Sequence, residues 1–197
     1  RLYKKAGELI PGHTQLISRR SSQFAHGVNP IYASKSEGSR FVDVDGNTYL
    51  DFMLNATSLI HGHAHPDITR VLSDQADSGV AFSVPTELQT RLGKLICDRV
   101  ASIESVRFTN SGTEATLNAI RCARTFTGRY KIAKFEGAYH GSSEHLSVSI
   151  KPPLEKLNSN NPTPIPEFPS MPPGVTNEVV ILPYNDLAAS ARTLRQY

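Results

Sequence analysis

Two stretches decide the fold class of this chain: Arg107-Phe-Thr-Asn-Ser-Gly-Thr-Glu-Ala-Thr-Leu117 and, about one helix later, Lys134-Phe-Glu-Gly-Ala-Tyr-His-Gly141. In the first, residues 103–108 carry β-branched and aromatic side chains at strand-like spacing, which predicts a strand. From Thr113 onward, small and apolar side chains recur every three to four residues, which predicts a helix. The stretch therefore predicts a strand that turns sharply into a helix at residues 110–114.

This turn is the first candidate for a functional site. Gly112 allows a ligand to approach the backbone closely, and the free amides at a helix N-terminus attract anions. Ligands of α/β proteins collect at the carboxyl ends of strands, so the position of the turn favours a phosphate site. A purely structural alternative is a capping box, in which Ser111 and Glu114 only satisfy the helix terminus.

The second stretch ends a predicted strand, residues 130–135, in an aromatic residue and a histidine. A phosphate-bearing aromatic cofactor needs hydrogen-bond donors for its phosphate and a flat side chain for its ring. The two stretches together supply both kinds of group. They therefore indicate a binding site for such a cofactor.

The remaining elements predict an α/β protein with a largely parallel sheet, because strands alternate with helices. A β-hairpin is expected at residues 41–52, turning at Asp45-Gly46-Asn47. Residues 1–38 form an N-terminal segment that is rich in glycine and proline. Further predicted elements are helices at 67–79 and 86–101, a strand at 179–182, and a last helix capped by Asp186.

Composition excludes little but argues against several partners. The net charge is +3 and the basic residues are scattered, so no nucleic-acid partner is expected. No run of some 18 apolar residues is present, so no membrane partner is expected. The two cysteines, Cys97 and Cys122, favour a reducing compartment, so we expect a cytoplasmic location. The histidines of His61-Gly-His-Ala-His65 could ligate zinc, yet no second cluster of ligands completes a set, so we expect no metal.

Six short motifs show a resemblance to a known family. In order and spacing they resemble the class III aminotransferases, fold-type-I enzymes that depend on pyridoxal 5'-phosphate, and most closely the glutamate-1-semialdehyde 2,1-aminomutase branch. The resemblance extends from about residue 8 to about residue 150 and makes the chain the N-terminal half of such an enzyme. The motifs are Asp43-Val-Asp-Gly-Asn-Thr-Tyr-Leu-Asp51, Gly62-His-Ala-His-Pro66, Pro85-Thr-Glu87, Phe108-Thr-Asn-Ser-Gly-Thr-Glu-Ala115, Thr127-Gly-Arg129 and Lys134-Phe-Glu-Gly-Ala-Tyr-His-Gly141.

The resemblance implies roles for individual cofactor-binding residues. Ser111, Gly112 and Thr113 would form the phosphate cradle. Tyr139 would stack on the pyridine ring, with His140 beside it. The alternatives are that Tyr139 packs into the core and that His140 is a histidine satisfied by ordinary hydrogen bonds.

The resemblance also implies substrate contacts from Ser18, Arg19 and Glu136. An arginine, here Arg19 or its neighbour Arg20, suits a substrate carboxylate because it can form a bidentate pair. The alternatives are that the arginines and Glu136 are solvated surface charges.

In the family, the lysine that forms the Schiff base and the acidic partner of the pyridinium nitrogen lie beyond the position that corresponds to Tyr197. No lysine here matches, so the catalytic residues are unknown and this chain alone is expected to be inactive. Residues 1–57 would contribute to a small domain, and residues 58–197 would form the first part of the cofactor-binding large domain, with a proline-rich loop at 152–178. The family further implies a homodimer with shared active sites and small-molecule amino donors and acceptors.

Three functions remain open. The first is an aminotransferase that passes an amino group between substrate and cofactor through Schiff-base intermediates. The second is an aminomutase of the glutamate-1-semialdehyde type. The third is a non-catalytic remnant of half the fold. Where the aminomutase branch carries a Trp-Gly segment, this chain has Leu54-Asn-Ala-Thr-Ser-Leu59 and no tryptophan, which favours the first.

Overall fold

The chain forms two compact units, Arg1–Glu87 and Leu88–Tyr197. The structure is a computed structural model that describes residues 1–25, 27–157 and 161–197. Residues 158–160 of the predicted proline-rich loop therefore lie outside the described residues. The domain boundary expected between residues 57 and 58 stays a prediction.

A three-stranded antiparallel sheet organises the first unit. The predicted hairpin is confirmed, because β2 and β3 pair Arg40 with Leu50 and Val42 with Thr48. β1 extends this hairpin. Both β1 and the first helix lie in the N-terminal segment, for which the sequence predicted neither a strand nor a helix. The elements are α1 (Leu2–Leu9), β1 (Ala33–Glu37), β2 (Arg40–Asp43), β3 (Thr48–Leu50), α2 (Leu54–Thr57) and α3 (Pro66–Ser78).

A buried carboxylate holds the hairpin turn together. Asp43 accepts hydrogen bonds from the Asp45 and Asn47 amides at 2.9 and 2.8 Å, from the Asn47 side chain at 3.0 Å, and from the Tyr49 hydroxyl at 3.0 Å. These bonds, above all that from the Asn47 side chain, favour the ionised form and lower the pKa of Asp43. The turn is therefore organised around a negative charge.

Asp43→Asn is expected to lower the free energy of unfolding near neutral pH. The decrease should be smaller in acid. Because the folded-state pKa of Asp43 is depressed, its stabilisation is present above the unfolded-state pKa and is lost as the pH falls through the folded-state pKa. Urea unfolding at about pH 7 and about pH 2 measures the difference. Asp74→Asn on the exposed surface of α3 is the control. An equal loss at both pH values would contradict the role of the charge.

The second unit contains a two-stranded parallel sheet. β4 and β5 pair Ile132 with Val179 and Phe135 with Leu182, which confirms a parallel arrangement and the predicted strand at 179–182. β4 begins two residues later than predicted. The elements are α4 (Glu87–Arg99, whose first residue belongs to the first unit), α5 (Gly112–Thr127), β4 (Ile132–Phe135), α6 (Pro173–Asn177), β5 (Val179–Leu182) and α7 (Leu187–Leu194).

The predicted strand at residues 103–108 is wrong for this structure. The residues before α5 are irregular, and in the described part of the chain no segment pairs with them. A strand is defined by hydrogen bonds to a neighbour, so a strand-like composition without a pairing partner does not produce one. The helix that follows begins where it was predicted.

The core of the second unit lies between the sheet and the proline-rich segment. Met171 and Val175 of that segment are buried, and α6 lies within it, so it is not simply an exposed loop. Apolar side chains between the prolines bury because this removes their surface from water. The core residues are Val148, Met171, Val175, Val179 and Ile181, with Ile132 packed against them.

Among the described residues, no helix is both long enough and apolar enough to cross a bilayer. The longest, α5, has 16 residues and carries charged side chains.

Candidate functional site

The turn before α5 is a capped helix N-terminus. Ser111 is the N-cap, and its Oγ accepts a hydrogen bond from the Glu114 amide at 3.2 Å. The Glu114 carboxylate accepts a hydrogen bond from the Asn110 amide at 2.7 Å. The predicted capping interaction is therefore confirmed, although Glu114 reaches Asn110 and not Ser111. Because the Ser111 hydroxyl accepts in this bond, its hydrogen remains free for a second acceptor.

The space around Gly112 in this turn is open to solvent. A Cβ atom on Gly112 would meet no heavy atom within 4 Å, and Gly112 is exposed. The first amides of an α-helix have no partner within the helix, and the helix dipole favours a negative charge near them. The turn therefore offers donors and room for an anion.

The segment of residues 137–142, which we call the aromatic loop, lies directly against the first turn of α5. The Ser142 amide donates to Thr113 Oγ1 at 3.1 Å, and the Thr116 hydroxyl lies 2.9 Å from the His140 carbonyl oxygen. Gly141 is so close that an added Cβ would lie 2.9 Å from Thr113 Cα. The structure thus brings together the two stretches that the sequence singled out.

Tyr139 and His140 are both exposed on the aromatic loop. Tyr139 is 65% exposed, so the alternative in which it packs into the core is wrong. Its hydroxyl lies 3.4 Å from Ser142 Oγ. An exposed ring next to a helix N-terminus has the arrangement expected for stacking on a phosphorylated aromatic ligand, although the cofactor contacts of both residues stay predictions.

Glu136 follows β4 at the carboxyl edge of the parallel sheet. Its Oε1 atom is buried and has no hydrogen-bond partner among the described residues. Burial raises the pKa of this carboxyl group. It lines a cavity of about 380 Å³ together with Gly137, Pro152, Leu157, Pro183, Tyr184 and Asp186. One of the two carboxylate oxygens is therefore shielded from solvent, and a substrate contact stays a prediction.

Lys134 has a structural role that the sequence analysis did not predict. It is only 4% exposed, and its ammonium group donates hydrogen bonds to the carbonyl oxygens of Val148 and Leu146. Burial lowers the pKa of this lysine. The side chain holds β4 against the segment that follows the aromatic loop. A lysine inside an apolar strand is a signal that could have revealed this role.

The first unit contains a separate cavity that includes two predicted substrate residues. Ser18 and Arg19 line a cavity of about 260 Å³ whose other walls are mostly apolar, among them Leu16, Phe24, Phe41 and Met53. The Arg19 guanidinium donates to the Asn55 side chain. Arg19 is therefore held in place at one end of its side chain and remains exposed.

The two neighbouring arginines have different surroundings. Arg20 packs over Gly12, where an added Cβ would lie 2.6 Å from the Arg20 guanidinium. Arg20 therefore fills a structural position, and Arg19 is the one that lines the cavity.

His63, in the middle of the histidine cluster, has structural partners. His63 Nε2 lies 2.7 Å from Asp51, and the His63 backbone pairs with Gly38. The described residues contain no group of three histidine, cysteine or acidic side chains arranged to hold a metal ion.

Solved structures place this arrangement in a class of proteins. An omega-transaminase from Sphaerobacter thermophilus is 40% identical, with a TM-score of 0.88, over 99% of this chain and 43% of its own. A transaminase with pyridoxal phosphate bound is 35% identical, with a TM-score of 0.86, over 99% of this chain and 43% of its own. The fold is therefore the α/β fold of fold-type-I pyridoxal-phosphate-dependent transferases, as predicted.

A family model for the class-III aminotransferases matches residues 23–196. The chain belongs to the class-III aminotransferase family. Among curated relatives, a glutamate-1-semialdehyde 2,1-aminomutase of an Exiguobacterium species is 40% identical over 195 residues, which are 99% of this chain and 43% of the relative. The chain thus spans less than half the length of the relatives that it matches.

Proposed function

We propose that this chain contributes the phosphate- and ring-binding part of a pyridoxal-phosphate-dependent aminotransferase. The observation that carries the proposal is the contact between the capped turn at Ser111–Thr113 and the aromatic loop with its exposed Tyr139. Family membership supports the same activity.

The residues of the turn fit the phosphate of this cofactor. Thr113 Oγ1 accepts a hydrogen bond from the Ser142 amide, so its own hydrogen can be donated to a phosphate oxygen. Ser111 has the same capacity, and the amides of the first turn and the helix dipole add further attraction. Tyr139 would pack on the pyridine ring, with His140 beside it, and the ring supplies an electron sink when the cofactor is bound.

Each unit offers its own candidate groups for substrate recognition. Arg19, held by Asn55, would form a bidentate pair with a substrate carboxylate, and Ser18 lines the same cavity. Burial raises the pKa of Glu136 and so favours its protonated form, which would donate a hydrogen bond to a substrate oxygen.

The rest of the active site would come from other parts of the enzyme. The lysine that forms the Schiff base and the partner of the pyridinium nitrogen would lie outside these residues, so the chain alone would be inactive. The enzyme would be a cytoplasmic homodimer with shared active sites, acting on small amino donors and acceptors. Support comes from the family and from relatives more than twice as long as this chain.

An aminomutase is the second candidate, and relatives of that name are about 40% identical to the chain. The two activities differ in one requirement: an aminotransferase needs an amino acceptor to complete its cycle, whereas an aminomutase moves the group within one molecule. Turnover by the complete native gene product that depends on an added 2-oxo acid would support the aminotransferase. Turnover of a single substrate without any acceptor would support the aminomutase. If borohydride fixes no cofactor to the protein, the non-catalytic remnant is the correct alternative.

Ser111→Ala tests the cofactor cradle against simple capping. Loss of either N-cap side chain, Ser111 or Asp186, is expected to cost about 1 kcal/mol of stability. Asp186 accepts from the Ala189 amide in the same way at 2.9 Å, so Asp186→Ala is the matched control. Only Ser111→Ala should also weaken pyridoxal phosphate binding, measured by absorbance titration. Equal cofactor affinities of the two variants would show that Ser111 only caps the helix.

A further inference from the structure

Thr116 lies one helical turn beyond the phosphate cradle, and its hydroxyl is shared between two segments. Its Oγ1 lies 3.0 Å from the Gly112 carbonyl oxygen and 3.1 Å from that of Thr113, as is common for threonine in helices. A third carbonyl oxygen, that of His140, is the nearest at 2.9 Å and is 24 residues away in sequence. Because the hydroxyl has one hydrogen, its bond to His140 competes with the bonds inside the helix. This side chain therefore links α5 to the aromatic loop.

Two other contacts join the same surfaces. The Ser142 amide donates to Thr113 Oγ1 at 3.1 Å, and Gly141 packs against Thr113. Thr113 thus holds the loop after Gly141, and Thr116 holds it just before Gly141. Tyr139 precedes this pair of contacts, and its ring is exposed. Its hydroxyl lies 3.4 Å from Ser142 Oγ in the same loop, so the position of the ring depends on how firmly the loop backbone is held.

We propose that Thr116 is a positioning residue: its hydroxyl fixes the backbone at His140 and so sets the distance between the Tyr139 ring and the phosphate cradle. This inference rests on the proposed function, because the ring and the cradle have a common ligand only if the cofactor binds. Thr116 does not need to touch the ligand. It acts by reducing the freedom of the loop before the ligand arrives, which improves affinity.

Thr116→Val removes the hydroxyl with little change in shape, and Thr116→Ser keeps it. Thr193→Val is the matched control, because the Thr193 hydroxyl bonds to the Ala189 carbonyl of its own helix at 3.0 Å. In the complete native gene product, Thr116→Val is expected to weaken pyridoxal phosphate binding by about fivefold, the worth of one hydrogen bond. Thr116→Ser and Thr193→Val should bind within about twofold of the unsubstituted protein.

A second measurement does not depend on the cofactor. Amide hydrogen exchange of Ser142, whose amide donates to Thr113 Oγ1, should be about fivefold faster in cofactor-free Thr116→Val and unchanged in Thr193→Val. Unchanged exchange and unchanged affinity in Thr116→Val would overturn the inference. If the unsubstituted protein binds no pyridoxal phosphate, the proposed function fails, and exchange alone still decides whether Thr116 holds the loop.

Discussion

Gly141→Ala is expected to abolish tight pyridoxal phosphate binding and to destabilise the second unit by about 3 kcal/mol, from overpacking and backbone strain together. Gly141 is buried and has φ of +107°, a conformation that side chains other than glycine rarely adopt. An added Cβ would lie 2.9 Å from both Cα and Oγ1 of Thr113. Because one of these atoms belongs to the backbone, relief requires the loop or α5 to move, and either movement displaces Thr113 from the phosphate.

Gly174→Ala is the control for this substitution. Gly174 lies in α6, and a Cβ there would meet nothing within 4 Å, so this variant should keep its stability and its cofactor affinity. Urea unfolding and absorbance titration of the two variants measure the two effects separately. Normal cofactor affinity in Gly141→Ala would contradict the close packing of the aromatic loop on Thr113.

Ile181→Ala is expected to lower the free energy of unfolding by about 4 kcal/mol, through lost apolar burial and the cavity left behind. Ile181 lies in β5, is 2% exposed and belongs to the core of the second unit. β5 pairs with β4, which carries the aromatic loop at its carboxyl end. The loss of packing should therefore also weaken cofactor binding, because the loop is supported by this sheet.

The comparison for this variant is Leu187→Ala. Leu187 begins α7 and is 87% exposed, so its truncation is expected to change stability by less than about 0.5 kcal/mol. Guanidinium unfolding followed by circular dichroism gives both values. Similar losses for the two variants would show that the sheet is not the core of this unit.

The elements with strong local signals were predicted well. Three such features form as the sequence indicates: the hairpin turn at Asp45-Gly46-Asn47, the start of α5 directly after Ser111, and the helix cap at Asp186. In each case the deciding interaction is between residues no more than a few positions apart. Such interactions depend little on the rest of the chain.

Predictions that needed a distant partner were less successful. The strand at 103–108 was wrong because no described segment pairs with it. The burial of Met171 and Val175 was missed because prolines around them indicate a loop, whereas burial depends on the sheet against which they pack. The pairing of Arg20 with Gly12, and of Arg19 with Asn55, joins residues whose approach no local pattern encodes.

The sequence by itself determined the family, the α/β class, and the two stretches that form the candidate cofactor site. Short motifs identify the family and the two stretches, and the periodic spacing of apolar side chains indicates the helices and strands. Only the tertiary structure decided that the stretches are held together by Thr113, Thr116 and Gly141, and that Lys134 is a buried structural group. The physical reason is that a hydrogen bond or a close contact requires two atoms to meet within about 3 Å. For residues 24 positions apart, as Thr116 and His140 are, that meeting depends on how the whole unit packs.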